Sequence, residues 1–209
     1  MNFDIILADP PWFQNARNNP GSRYGAGVPY PTMRTEDICN IPVSGIAQDS
    51  SALFLWVTGP KLPDGIKVME SWGFRYVTIA FSWVKVNKLN RPKREMKEII
   101  SMMKGKIPIQ FPNPRFGIGY YTASNVELCL LGVRGRMPVV SNFVSQVIVE
   151  PITVHSKKPK QTHTRIEQLF GDKKRIELFG RESVDGWEVL GNQIDGQDIV
   201  DAVRKLVES

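Results

Sequence analysis

Cysteine and histidine are scarce in this 209-residue chain, with two of each. Cys39 and Cys129 lie far apart, lack C-x-x-C spacing and sit among apolar neighbours. They predict buried thiols in a reducing compartment, not a disulfide framework. With only His155 and His163 beside them, no metal cluster of recognisable spacing can be assembled. Long hydrophobic runs are absent too: none approaches the ~18 residues of a membrane-spanning helix. The chain enters an apolar segment at Phe3, leaving no room for a signal peptide. Repeats and low-complexity tracts are missing. These absences point to a cytoplasmic, metal-free protein with no membrane partner.

What is present describes a globular chain. Hydrophobic content of 42% and charged content of 23% suit one domain, residues 1–209, with a single sizeable core. The formal charge of +6 is unevenly spread. Between 85 and 106, Lys85, Lys88, Arg91, Lys93, Arg94, Lys97, Lys104 and Lys106 face only Glu95 and Glu98. Between 157 and 175, Lys157, Lys158, Lys160, Arg165, Lys173, Lys174 and Arg175 face Glu167 and Asp172. The remainder is net acidic, so two basic patches suggest a polyanionic partner such as nucleic acid. For the second patch a solvated helix face explains the charge equally well.

The most informative motif closes the first apolar run. Asp9-Pro10-Pro11-Trp12 follows Phe3-Asp4-Ile5-Ile6-Leu7-Ala8. The Asp9 carboxylate can accept from an exocyclic amine, and the Pro10 carbonyl offers a second acceptor on a residue with no competing donor. Trp12 offers a π-face on which a planar base can stack. Taken alone, Asp-Pro is also ordinary turn punctuation and Trp an ordinary core residue.

Strand-length apolar runs recur at Asp4–Ala8, Ala52–Val57, Tyr76–Val84, Val126–Leu131, Gln146–Pro151 and Arg175–Phe179. Several are apolar on both faces, as in a covered parallel sheet. Helical spacing marks Leu62–Trp72, Lys160–Phe170 and Gln197–Val207. The alternation predicts an α/β protein with ligands beyond the carboxyl ends of the strands. Two irregular stretches, 13–31 and 87–121, read as substrate-gripping loops.

Further segments join the first motif: Tyr30-Pro31-Thr32-Met33, Phe54-Leu55-Trp56-Val57-Thr58-Gly59, Trp83-Val84-Lys85, Glu127 to Gly132, His155 to Pro159, Ile176 to Arg181, Gly186-Trp187 and Leu190 to Gln193. In this order they resemble the family named for the seventy-kilodalton subunit of the mRNA N6-adenosine methyltransferase, which also has bacterial and phage DNA-modifying members. The resemblance implies a Rossmann-like S-adenosylmethionine-dependent fold, α/β, with helices on both faces. Its sheet would be mostly parallel with one antiparallel strand near an edge. The motif order would be permuted, with the target-base corner early and the cofactor strand late. That accounts for the lack of a G-x-G-x-x-G after the first strand: S-adenosylmethionine carries no pyrophosphate.

By resemblance, Asp9, Pro10, Pro11 and Trp12 form the catalytic corner. Asp9, Lys158, Arg181, Ser183, Asn192 and Gln193 hold the cofactor, Lys158 by the methionine carboxylate, Arg181 by the ribose, and Asn192 and Gln193 by ribose and adenine edges. Trp12, Tyr30, Lys88, Arg91, Lys93, Arg94 and Glu127 face the nucleic acid, although Glu127 is as readily a structural ion pair. His155 reads as a packing residue. Ser183 and Val184 stand where RNA-modifying members often carry His-Asn, so some ribose contacts differ here. The activity implied is methyl transfer to adenine N6, with DNA favoured. RNA as substrate, cytosine N4 as target, and a non-catalytic nucleic-acid-binding partner subunit stay open, as does a homodimer or heterodimer.

Overall fold

The computed structural model describes residues 2–13, 31–87, 115, 121–153, 157–194 and 196–209. Seven strands form one sheet: β1 (Phe3–Ala8), β2 (Ala47–Val57), β3 (Arg75–Val86), β4 (Val126–Arg134), β5 (Val147–Pro151), β6 (Arg175–Leu178) and β7 (Glu188–Leu190). Their order is β5-β3-β4-β2-β1-β6-β7. Among the described residues four α-helices accompany them: α1 (Thr35–Cys39), α2 (Leu62–Ser71), α3 (Gln161–Phe170) and α4 (Ile199–Glu208).

The apolar runs of β1 and β2 explain their central place. Ile5, Ile6, Leu7 and Ala8 are buried, as is every residue from Ala52 to Val57. A strand apolar on both faces is stable only with layers above and below it. Alternation sends Ile6, Ala8, Leu53, Leu55 and Val57 to one core cluster, shared with α1, α2 and α4. Ile5, Leu7, Phe54 and Trp56 go to the other, closed by Ile166 and Phe170 of α3. Each buried Ile, Leu, Val or Phe among them contributes about 1.5–3 kcal/mol relative to exposure. This is a Rossmann-like α/β arrangement with helices on both faces.

Six strands run parallel, and β4 alone is antiparallel, paired with β2 on one side and β3 on the other. It stands third from the β5 edge, one place from the middle strand. The reversal has a consequence for function. Parallel strands present their last residues at the carboxyl edge, whereas β4 presents its first. The pairs Val57↔Leu128 and Trp83↔Glu127 put Glu127 level with the ends of β2 and β3.

Two elements are absent from the sequence expectation. Helix α1 spans five residues, held by Ile38 in the core and by the Trp72 Nε1 hydrogen bond to the Ile38 carbonyl at 3.0 Å. Strand β7 has three residues, which follow the edge of β6. Strand β2 also begins earlier than expected, because exposed Gln48, Asp49 and Ser50 extend it beyond its apolar half. Helix α4 is capped as a helix start should be: the Asp198 side chain accepts from the amides of Val200 and Asp201.

Candidate active site

Chain direction brings the candidate residues to one edge. Strand β1 leads directly into Asp9, and its neighbour β6 leads through Phe179 and Gly180 to Arg181. Beyond it, β7 leads through Gly191 to Asn192 and Gln193. Lys158 precedes α3, whose first turn is anchored by the Thr162 amide on the Pro159 carbonyl at 3.0 Å. Residues 149 positions apart thus meet: Lys158 Nζ lies 2.6 Å from Asp9 Oδ2.

Around that contact the charges alternate. Lys158 Nζ is also 3.2 Å from Glu127 Oε2, and Glu127 accepts from Lys85 on its other oxygen. All four side chains are at most a fifth exposed. Lys158 stands over the Trp56 ring at 5.7 Å, and Lys85 over Trp83 at 5.1 Å, both as cation–π contacts.

The two carboxylates are driven apart. Burial raises the pKa of Asp9 above the ordinary carboxylate value; Lys158 opposes this and does not overcome it, while the Glu127 charge adds to it. Burial also acts to raise Glu127, but Lys158 and Lys85 together win, and its pKa falls. For Lys158, burial disfavours the ammonium, yet Asp9 and Glu127 more than compensate, and its pKa rises. Unequal environments split a carboxylate pair into one firmly ionised member and one more basic member. Glu127 is the former and Asp9 the latter.

The corner after Asp9 is rigid. Trp12 N donates to the Pro10 carbonyl at 2.9 Å, Met33 N to the Pro11 carbonyl at 2.8 Å, and Phe13 N to Met33 O at 2.9 Å. A carbonyl oxygen has two lone pairs, so Pro10 keeps capacity for one further donor. Trp12 itself is 9% exposed, belongs to a core cluster and donates through Nε1 to the Trp56 carbonyl at 3.0 Å. This packing gives it the task of pinning the corner to β2, which the expectation of a stacking platform did not include.

Other expected residues are placed as follows. Arg181 is half-buried, and its charge favours ionised Asp9. Ser183, Asn192 and Gln193 are exposed on the loops after β6 and β7. Tyr30, Lys88, Arg91, Lys93, Arg94 and His155 lie outside the described residues. Lys85 was anticipated as part of a basic patch and of the Trp83-Val84-Lys85 segment, with no pairing role; the signal for that role was its position at the end of an apolar strand run. In the second patch, several charges serve local structure. Arg165 donates to the carbonyls of Ser145 and Val147, Arg175 to those of Gly171 and Gly186, and Lys157 pairs with Glu182. The reading of a solvated face fits these three better than a free anion site does.

The carboxyl edge of this Rossmann-like sheet therefore carries an Asp-Pro-Pro-Trp corner against a lysine, at the edge where open α/β sheets take their ligands. Comparison with known proteins narrows this. The MT-A70 family model matches residues 3–107 and 113–193, and the chain belongs to that family. It is 31% identical over 204 residues to the human N(6)-adenosine-methyltransferase catalytic subunit METTL3, covering 95% of this chain and 29% of that protein. A putative N(6)-adenosine-methyltransferase MT-A70-like protein of Medicago truncatula is 29% identical over 201 residues, covering 95% of this chain and 28% of the relative. The Type II methyltransferase M.MunI of Mycoplasma sp is 28% identical over 214 residues, covering 94% of this chain and 80% of the relative. The chain thus spans less than a third of the plant and human relatives and most of the bacterial one.

Proposed function

We propose that the chain is an S-adenosylmethionine-dependent methyltransferase acting on N6 of adenine in nucleic acid, with DNA as the favoured substrate. The observation that carries this reading is the 2.6 Å contact of Asp9 and Lys158 at the carboxyl edge of the sheet, within a chain of the MT-A70 family.

The donor set suits the cofactor. An amino-acid carboxylate asks for a compact cation, and Lys158 supplies one with three N–H donors. Arg181, Ser183, Asn192 and Gln193 follow the neighbouring strand ends and offer hydroxyl- and base-edge partners. When bound, S-adenosylmethionine supplies an electrophilic methyl group. The protein's work is on the nucleophile. The adenine amine is weak because its lone pair is delocalised into the ring. Asp9 and the Pro10 carbonyl, accepting from its two N–H groups, hold it in a geometry that localises that pair. As the methyl joins, nitrogen gains positive charge and must lose a proton. The buried carboxylate then stabilises the charge more than in the ground state, and its raised pKa makes it a better proton acceptor. Glu127 and Lys85 hold Lys158 in place from the far side.

The basic stretch 85–106 supplies phosphate contacts in this reading, giving binding that weakens steeply with salt. In duplex DNA the base must leave the stack, at a cost of a few kcal/mol. DNA is favoured because the bacterial relative is matched over most of its length. RNA is the second reading, supported by the identity to METTL3. Free Cys39 and Cys129 fit a cytoplasmic setting. The test is incubation with labelled S-adenosylmethionine and matched DNA and RNA oligonucleotides, followed by digestion to nucleosides. Label in N6-methyladenine from DNA supports the proposal, label from RNA alone supports the second reading, and no label in either nucleoside pool refutes both.

A further inference from the structure

We infer that Gly180 and Gly191 form a backbone clasp that positions Arg181, Asn192 and Gln193 as a single cofactor-gripping unit, an inference that rests on the methyltransferase reading above. The loops leaving β6 and β7 touch at these two residues. A Cβ on Gly191 would stand 2.1 Å from the Gly180 carbonyl oxygen and 3.0 Å from the Gly180 nitrogen. A Cβ on Gly180 would stand 2.2 Å from Val189 Cγ1. Gly180 N donates to the Leu190 carbonyl at 2.9 Å, and Ile194 N donates to the Gly191 carbonyl at 2.8 Å, turning the chain immediately after the contact.

Phe179 completes the device. Its φ of 65° is left-handed, a conformation that a bulky residue adopts only when its surroundings impose it. The side chain is packed against the core cluster beneath α2 and α4, which supplies that constraint. The strand therefore ends abruptly at Leu178, and the chain turns so that Gly180 meets Gly191. Strained backbone of this kind clusters at functional sites. Here it sits directly before Arg181.

The physical consequence is preorganisation. Two loops must present side chains to one ligand, and most of those side chains are exposed and have little packing of their own. Fixing the loops to each other through main chain removes the freedom that binding would otherwise have to quench. Gly180 and Gly191 are positioning residues; they act through the residues that follow them.

The two glycines fail in different ways when a methyl is added, which gives the test its discrimination. The obstruction at Gly191 is backbone, so Gly191→Ala must separate the loops. The obstruction at Gly180 is one methyl of Val189, so Val189→Ala vacates the space that Gly180→Ala fills. Calorimetric titration of the whole chain with S-adenosylmethionine should show Kd raised roughly tenfold or more in Gly191→Ala and in Gly180→Ala, the range expected of an overpacked contact. Gly180→Ala/Val189→Ala should return close to the wild-type value. Oligonucleotide affinity should change little in the soluble variants, a split that general destabilisation would not produce. Should Gly191→Ala not fold, the rescue by Val189→Ala decides alone. Wild-type affinity in both single variants, or no rescue in the double variant, overturns the clasp. A wild-type chain that takes up no S-adenosylmethionine overturns the cofactor site itself.

Discussion

Replacing Asp9 by Asn should abolish most of the activity without weakening the fold. The substitution keeps volume and one acceptor oxygen while removing the charge. On the functional side, the lost group is a carboxylate aimed at developing positive charge, and removing one such preorganised group costs about 10²–10³ in kcat, or about 2.7–4 kcal/mol. On the stability side, the sign runs the other way. Burial raises the pKa of Asp9 in the folded state, so the native protein binds its proton more tightly than the unfolded chain does. Stability contributed by this group is present at low pH and declines as pH rises through the folded value. At neutral pH the ionised form is therefore a burden, and a neutral isostere relieves it, although Lys158 is left with Glu127 as its remaining carboxylate at 3.2 Å. The expected result is a kcat lowered by two to three decades with a Tm at pH 7 equal to or above that of the wild type. The assay is methyl transfer at saturating substrates beside a calorimetric melt. A large drop in Tm would make Asp9 a structural residue, and turnover within tenfold of wild type would remove it from the chemistry.

Glu127→Gln should behave in the opposite sense. Its folded pKa is depressed, so its contribution to stability is present above the unfolded value and lost as pH falls through the folded one. The variant is expected to lose about 2 kcal/mol at pH 7, with a smaller deficit in acid, read from denaturant melts at several pH values; equal melts at pH 7 would refute the relay of charges. Trp12→Phe removes the donor to the Trp56 carbonyl and should lower stability by about 1–2 kcal/mol. If only oligonucleotide affinity fell, with Tm unchanged, Trp12 would be a stacking platform and not a pin. The acid limb of the kcat/KM profile should lie above the ordinary aspartate value, because the active form needs ionised Asp9 and burial raises its pKa; a limb at or below that value would contradict the assigned role.

Much of this arrangement was legible in the chain because its signals are local. Asp4–Ala8 and Ala52–Val57 are apolar on both faces, and a strand of that kind has few alternatives to the middle of a covered sheet. Gln161–Phe170 and Ile199–Glu208 repeat their buried residues at helical spacing and fall within a residue or two of the expected bounds. What escaped depends on neighbours. Thr35–Cys39 is too short to show a period, and Glu188–Leu190 is a strand only because β6 lies beside it. The meeting of Asp9 with Lys158 was implied by family resemblance and not by spacing, since fold topology alone spans so long a separation. The Lys85–Glu127 pair was missed because it follows from the antiparallel register of β3 and β4. Trp12 illustrates a different limit: an aromatic after a strand serves a core or a ligand equally well until its indole nitrogen is seen to have a partner.

The most direct measurement is a crystal structure of the chain with S-adenosylhomocysteine and an adenine-containing oligonucleotide, reading the surroundings of the exocyclic nitrogen. That nitrogen should lie within hydrogen-bond distance, about 2.7–3.2 Å, of an Asp9 carboxylate oxygen and of the Pro10 carbonyl. An adenine amine bound elsewhere, with Asp9 still held only by Lys158, would contradict the assignment of this corner as the seat of methyl transfer.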